Sequence, residues 1–297
     1  MREMIKHEYT GRIDSDRKER FHQVVQSYTN ETKSDVIVGF MSDEGVKRNK
    51  GRVGAKEAPT KIRERMSSMA YMNDVYDIGS IEGTEDLEAS QQQLGNVVSK
   101  LLQNDNFTVI LGGGHETVYG HYLGVRDAFK EEKIAVLNLD AHFDLRKERK
   151  SSGTMFYEML SEDDNIDYYV IGIQQLGNTL TLFETADEFG VKYWTIDEIR
   201  KNESLLDTIK SELENYDHVF MTLCMDSIQE GVAPGTSAPS PNGFTAEEVV
   251  STVKQFGTLN NLTSFDVSEV SPPLDINERT SSLAAFIVLT LLTEKNK

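Results

Sequence analysis

The sequence predicts an α/β fold: one domain, 1–297, built on a central, mostly parallel sheet with helices packed on both sides. Short apolar runs, rich in β-branched and aromatic residues and mostly not alternating with polar ones, recur along the chain. That is the pattern of strands buried on both faces. Longer amphipathic stretches separate them from end to end, and no repeat, low-complexity tract or Pro/Ser-rich linker interrupts the alternation. At 297 residues the chain has room for one large domain of this kind.

The first buried strand is expected at Asp35–Phe40, followed by a helix over Ala58–Met69 with Pro59 near its start, a position where proline is tolerated. A long polar amphipathic helix is expected over Glu82–Leu102, a strand at Phe107–Leu111, and a helix over Glu116–Lys130 after a glycine-rich turn. Lys133–Asp140, Tyr168–Ile173 and Val191–Thr195 read as strands, the last preceded by a helix over Thr179–Phe189. His218–Asp226 and Leu262–Val267 complete the strands. Between them Thr245–Phe256 opens with Thr245 as N-cap and Glu248 three residues on, the capping-box spacing. The apolar-leaning stretch Ser281–Leu292 falls short of the roughly 20 residues a bilayer span needs and reads as the last buried helix.

The formal charge is 31 − 49 = −18. A surface that acidic repels phosphate backbones and anionic headgroups, so neither nucleic acid nor membrane is an expected partner. Cys224 is the single cysteine, which excludes a disulfide framework and fits a reducing cytoplasm. The stretch from Met1 to Arg20 is polar and lacks the apolar centre of a secretory signal.

Four polar clusters follow strand ends. Asp140, His142 and Asp144 close the run Lys133–Asp140 at alternating positions, and in extended backbone such side chains share a face. Two carboxylates and an imidazole suit Mn²⁺, Zn²⁺ or Fe²⁺ better than Ca²⁺ or Mg²⁺. Gly112-Gly113-Gly114-His115-Glu116 follows another strand, with glycines that permit positive φ and close backbone approach and a turn that brings His115 to the same edge. Cys224 and Asp226 alternate onto one side of a third strand. Asp226 reads as a ligand, while a lone cysteine at a strand end is as readily a small buried apolar group. Glu269, just past the last strand, is placed to meet a cationic substrate group or to cap a helix.

Together with Asn49-Lys50-Gly51-Arg52-Val53-Gly54-Ala55, Ala58-Pro59-Thr60-Lys61-Ile62-Arg63 and Ser268-Glu269-Val270-Ser271-Pro272-Pro273-Leu274-Asp275, these motifs closely resemble the arginase/agmatinase/formimidoylglutamase (ureohydrolase) family across nearly the whole chain. The resemblance implies a three-layer α/β/α domain with an eight-stranded parallel sheet and a two-ion manganese centre at its carboxyl edge. Residue by residue it implies that His115 and Asp144 hold one ion, His142 the other, and Asp140 bridges them. Cys224 and Asp226 occupy positions where the family usually has two aspartates, Thr222 replaces a serine, and Gln229 stands at a common aspartate position. The thiol would favour Zn²⁺ or Fe²⁺ over Mn²⁺.

Arg146, Ser151–Phe156 and Ile173–Thr179 look most like the formimidoylglutamase branch, which implies hydrolysis of N-formimidoyl-L-glutamate to L-glutamate and formamide in histidine breakdown. Within that resemblance Glu269 matches the residue that contacts the substrate amidine, and Asp144 would relay a proton. Arg146 offers a fork for a substrate carboxylate, with Asn49 and Arg52 as further substrate contacts. Gly153–Phe156 lacks the histidine that arginases carry there. Another ureohydrolase (agmatinase or guanidino-acid hydrolase) and a non-catalytic member with a degenerate metal site are the alternative readings. Family members commonly form homo-oligomers, and the sequence does not fix a number of subunits.

Overall fold

The structure, a computed structural model, describes residues 4–297, so the start of the polar N-terminal stretch, 1–3, lies outside the described residues. Nine strands pair in parallel into one sheet: β1 (Val25–Ser27), β2 (Asp35–Met41), β3 (Val75–Glu82), β4 (Phe107–Leu111), β5 (Ile134–Leu139), β6 (Ile166–Ile173), β7 (Lys192–Thr195), β8 (His218–Cys224) and β9 (Leu262–Ser268). Their order is β1-β3-β2-β4-β9-β8-β5-β6-β7.

Alternate side chains of each central strand enter different cores. Ala135, Leu137 and Leu139 of β5 join Met221 and Leu223 of β8 on one face, under the helices Ala58–Ser67, Ala246–Gly257 and Arg279–Lys295. Ile134 and Val136 join Phe220 on the other, under Leu87–Gln103, Thr117–Ala128 and Met155–Glu162. That period-2 division makes the three layers. The capping box forms as expected: Thr245 Oγ1 accepts from the Glu248 amide at 3.1 Å and Glu248 Oε2 accepts from the Thr245 amide at 2.7 Å. Pro59 lies in the first turn of its helix. Among the described residues no helix is long and apolar enough to cross a membrane.

Three expectations need correction. The sheet has nine strands, not eight, because three-residue β1 adds an edge beside β3. β3 itself went unread: its polar residues Asp77 and Ser80 and the kink at Gly79 (φ 96°) break the apolar run. Glu82 therefore ends a strand rather than starting a helix. The helix begins at Leu87, where Asp86 caps it by accepting from the Ala89 amide at 3.0 Å.

The four strands β4, β9, β8 and β5 are contiguous at the middle of the sheet. Every polar cluster singled out above follows the carboxyl end of one of them.

Candidate metal centre

After β4 the chain turns through Gly112, Gly113 and Gly114. None of the three has a positive φ; close approach is what requires them. A Cβ on Gly113 would sit 1.8 Å from the Ser42 carbonyl oxygen, and one on Gly112 2.5 Å from Ser268 Oγ. Docked this tightly against the ends of β2 and β9, the turn delivers His115, which is buried.

Asp140, His142 and Asp144 do converge, though not by strand alternation. β5 ends at Leu139, and the next residues form a loop in which Asp144 takes a left-handed φ of 51°. Asn178 pins this loop: its Oδ1 accepts from the Phe143 amide at 3.1 Å and its Nδ2 donates to the Ala141 carbonyl at 2.9 Å. β8 likewise ends at Cys224, and Asp226 belongs to the 3₁₀ turn Met225–Ser227. Sequence reasoning placed both residues on one strand face; the turn brings them to the same cleft instead.

Two sets of donors share Asp140. His115, Asp140 and Cys224 each offer an atom within 4.8 Å of the others, and so do Asp140, His142 and Asp226. His115 Nδ1 lies 3.1 Å from Asp140 Oδ2 and 3.1 Å from Asp144 Oδ2. His142 Nδ1 lies 3.6 Å from Asp140 Oδ1 and 3.4 Å from Asp226 Oδ2. Glu269, itself at a left-handed φ of 66°, accepts from the His115 amide at 2.9 Å.

The charges here do not cancel. Burial alone would discharge His115, but its hydrogen bonds to Asp140 and Asp144 hold its pKa well above the usual histidine range. Burial also opposes a charge on His142, where the charge of Asp226 and hydrogen bonds to Asp140 and Asp226 prevail in the same direction. Burial, with the charges of Asp140, Asp226 and Glu269 added, pushes the Cys224 thiol far up. Burial, then the charges of Asp226 and Glu116, pushes Glu269 up to about 8. Asp226 Oδ1 is buried with no hydrogen-bond partner among the described residues. Imidazoles, excess carboxylates and an orphaned carboxylate oxygen at these separations are a donor set that fits divalent cations of the Mn²⁺, Fe²⁺ or Zn²⁺ kind.

The cleft over these donors holds about 610 Å³ not filled by atoms, part of it open to solvent. Arg146 lines it, exposed, with Nη1 3.5 Å from Asn49 Oδ1. Asn49 Nδ2 in turn donates to Ser152 Oγ at 3.3 Å. Arg52 does not line the cleft. Its guanidinium donates to the carbonyls of Thr236 and Ser237 at 2.9–3.0 Å, holding the loop whose Ser237 and Ala238 do. Gln229 is also outside the cleft, its backbone N–H donating to the Phe244 carbonyl at 2.9 Å. Sequence reasoning gave no role to Asn178, or to Glu116, whose carboxyl is fully buried and pushed up to about 7 by that burial. Only the position of Glu116, beside His115, signalled it.

A model of the arginase family matches residues 33–293. The formimidoylglutamase of Lysinibacillus sphaericus is 43% identical over 96% of this chain and 95% of its own length. That of Nocardia farcinica is 41% identical over 96% of each. In three dimensions the chain overlays formimidoylglutamase from Bacillus subtilis with a TM-score of 0.87 at 24% identity, covering 98% of this chain and 96% of the other. It overlays Trypanosoma cruzi formiminoglutamase with Mn²⁺ with a TM-score of 0.85 at 23% identity, covering 93% and 98%. Sheet, donor set and sequence agree, and the chain belongs to the arginase family.

Proposed function

We propose that this chain hydrolyses the amidine of N-formimidoyl-L-glutamate to L-glutamate and formamide. The observation that carries the reading is the meeting, in one cleft, of two donor clusters sharing Asp140 with the exposed guanidinium of Arg146. The names of the relatives support the substrate, and the Mn²⁺ of the Trypanosoma cruzi structure supports the ion.

In this reading His115 and Asp144 would hold one cation and His142 the other, with Asp140 common to both donor sets and Cys224 and Asp226 completing them. Divalent cations bound there lower the pKa of water enough for hydroxide chemistry near neutral pH. Glu269 receives the amidine nitrogen: a cationic group beside it favours the carboxylate form that burial otherwise resists. As water adds to the formimidoyl carbon, Asp144 takes up a proton and returns it to the glutamate nitrogen when the carbon–nitrogen bond breaks. Arg146 grips a substrate carboxylate, and Asn49 steadies it. Arg52 acts one step removed, through the 236–237 loop. A reducing cytoplasm suits the free thiol of Cys224.

Formamide and glutamate release from N-formimidoyl-L-glutamate by Mn²⁺-reconstituted protein tests the reading, run beside Arg146→Ala. The wild type should turn over. The variant should keep its metal and lose about 10–100-fold in kcat/KM, the effect of removing a charged hydrogen bond. A fully metallated wild type that leaves the substrate intact rejects the assignment.

A further inference from the structure

Opposite the ring nitrogen that faces Asp140 and Asp144, His115 enters a second network that the reaction does not use directly. Its Nε2 lies 3.0 Å from Thr222 Oγ1. Thr222 Oγ1 donates to Asp266 Oδ1 at 2.9 Å, and Ser268 Oγ donates to the same oxygen at 3.0 Å. Asp266 Oδ2 meets His121 Nδ1 at 2.8 Å, and His121 Nε2 lies 2.7 Å from Ser264 Oγ. Thr222, Asp266, Ser268, His121 and Ser264 are all 0% exposed, so no solvent completes or competes with these bonds.

We propose that Thr222 and Asp266, backed by His121, are positioning residues that hold His115 in the tautomer with its proton on Nε2, leaving the Nδ1 lone pair turned toward the cation. The hydrogens available along this chain of bonds determine the tautomer. A threonine hydroxyl has one hydrogen. Here it goes to the Asp266 carboxylate, so Thr222 can only accept from His115, and Nε2 must supply that hydrogen. A neutral imidazole with Nε2 protonated presents Nδ1 as its acceptor, and Nδ1 is the atom that faces Asp140 and Asp144. Asp266 is itself fixed by three donors: Thr222, Ser268 and His121. Threonine suits the post because its branched Cβ restricts χ1 and keeps the hydroxyl aimed. The inference rests on the reading of His115 as a metal ligand.

Two measurements test it. In Zn²⁺-loaded protein with ¹⁵N-labelled histidine, the His115 ring should carry a slowly exchanging proton on Nε2; a proton on Nδ1 overturns the proposal. Calorimetric titration with Mn²⁺ should show Thr222→Val binding about 10–100-fold more weakly than wild type, the usual effect of losing such an outer partner, with Thr222→Ser close to wild type. Wild-type affinity in Thr222→Val removes the positioning role while leaving the metal centre standing. A wild type that takes up no Mn²⁺ removes both. Should Thr222→Val fail to fold, the resonance measurement on the unaltered chain still decides.

Discussion

Two regions of this molecule bury charge, and they do it differently. Around Arg63 the charges cancel. Its guanidinium makes five hydrogen bonds, two to Asp77 at 2.7 and 2.9 Å and the others to Ser80 Oγ and the carbonyls of Pro59 and Gly79. That satisfies every donor an arginine has. Around Asp140 they do not cancel: Asp140, Asp144, Asp226 and Glu269 face two imidazoles, and Asp226 Oδ1 has no partner among the described residues. The first arrangement is complete within the chain and serves the scaffold. The second lacks positive charge that something outside the chain can supply, and that deficit marks a ligand site. Removing a carboxylate should therefore harm function in one place and stability in the other.

The sharpest test is Asp140→Asn, since Asp140 belongs to both donor clusters. Metal analysis should find fewer than one ion per chain, and turnover should fall by at least about 10³-fold, the several kcal/mol that metal activation supplies. Two retained ions with near-normal turnover would show that the centre does not depend on Asp140.

Asp77→Ala should behave in the opposite way. It strands Arg63, which is 1% exposed, as a buried cation without its partner, a defect that costs about 3–5 kcal/mol. The kcat of the metal-loaded protein should stay unchanged. The pair also sets a pH dependence. Burial works against a charged Asp77, but the Arg63 guanidinium overrides it and holds the folded-state pKa below the usual carboxylate range. The stabilisation is therefore complete above the unfolded-state pKa of about 3.9 and is lost as pH falls through the folded value. Urea denaturation at neutral and acid pH would show it: the gap between wild type and Asp77→Ala should narrow as the medium is acidified. A gap that stays constant would mean that the pair carries no such linkage.

Much of this was legible in the sequence, for a physical reason. β4, β5, β8 and β9 are buried on both faces, so each reads as a short apolar run, and the polar residues that follow stand out against it. What the residues alone could not show is that these four strands lie side by side, because parallel order is set by crossovers between distant segments. The mode of convergence was also hidden. Alternation suggested strand faces for Asp144 and Asp226, whereas a left-handed residue and a 3₁₀ turn aim them. Arg52 shows the limit of reading charge without geometry: a guanidinium near a site motif is spent on two backbone carbonyls. His121 drew no notice because a lone histidine in an amphipathic helix has no periodic signal, and its partner Asp266 lies 145 positions away.

Cys224 allows the smallest and most discriminating change. Its thiol is 2% exposed, and burial with three neighbouring carboxylates keeps it protonated in the absence of a cation. A cation at the His115–Asp140–Cys224 cluster would reverse that, since coordination deprotonates a thiol. A thiolate ligand is soft and favours Zn²⁺, while a carboxylate in its place is hard and favours Mn²⁺. Cys224→Asp should therefore lower the ratio of Zn²⁺ to Mn²⁺ affinity by about tenfold, a shift of about 1.4 kcal/mol in competitive titration. It also adds one more carboxylate to a cluster that already lacks positive charge, so the metal-free variant should be less stable than the wild type and regain more on metal binding. An unchanged metal ratio would assign Cys224 to the wall of the cleft rather than to the ions, which His115, Asp140, Asp144, His142 and Asp226 would then hold without it.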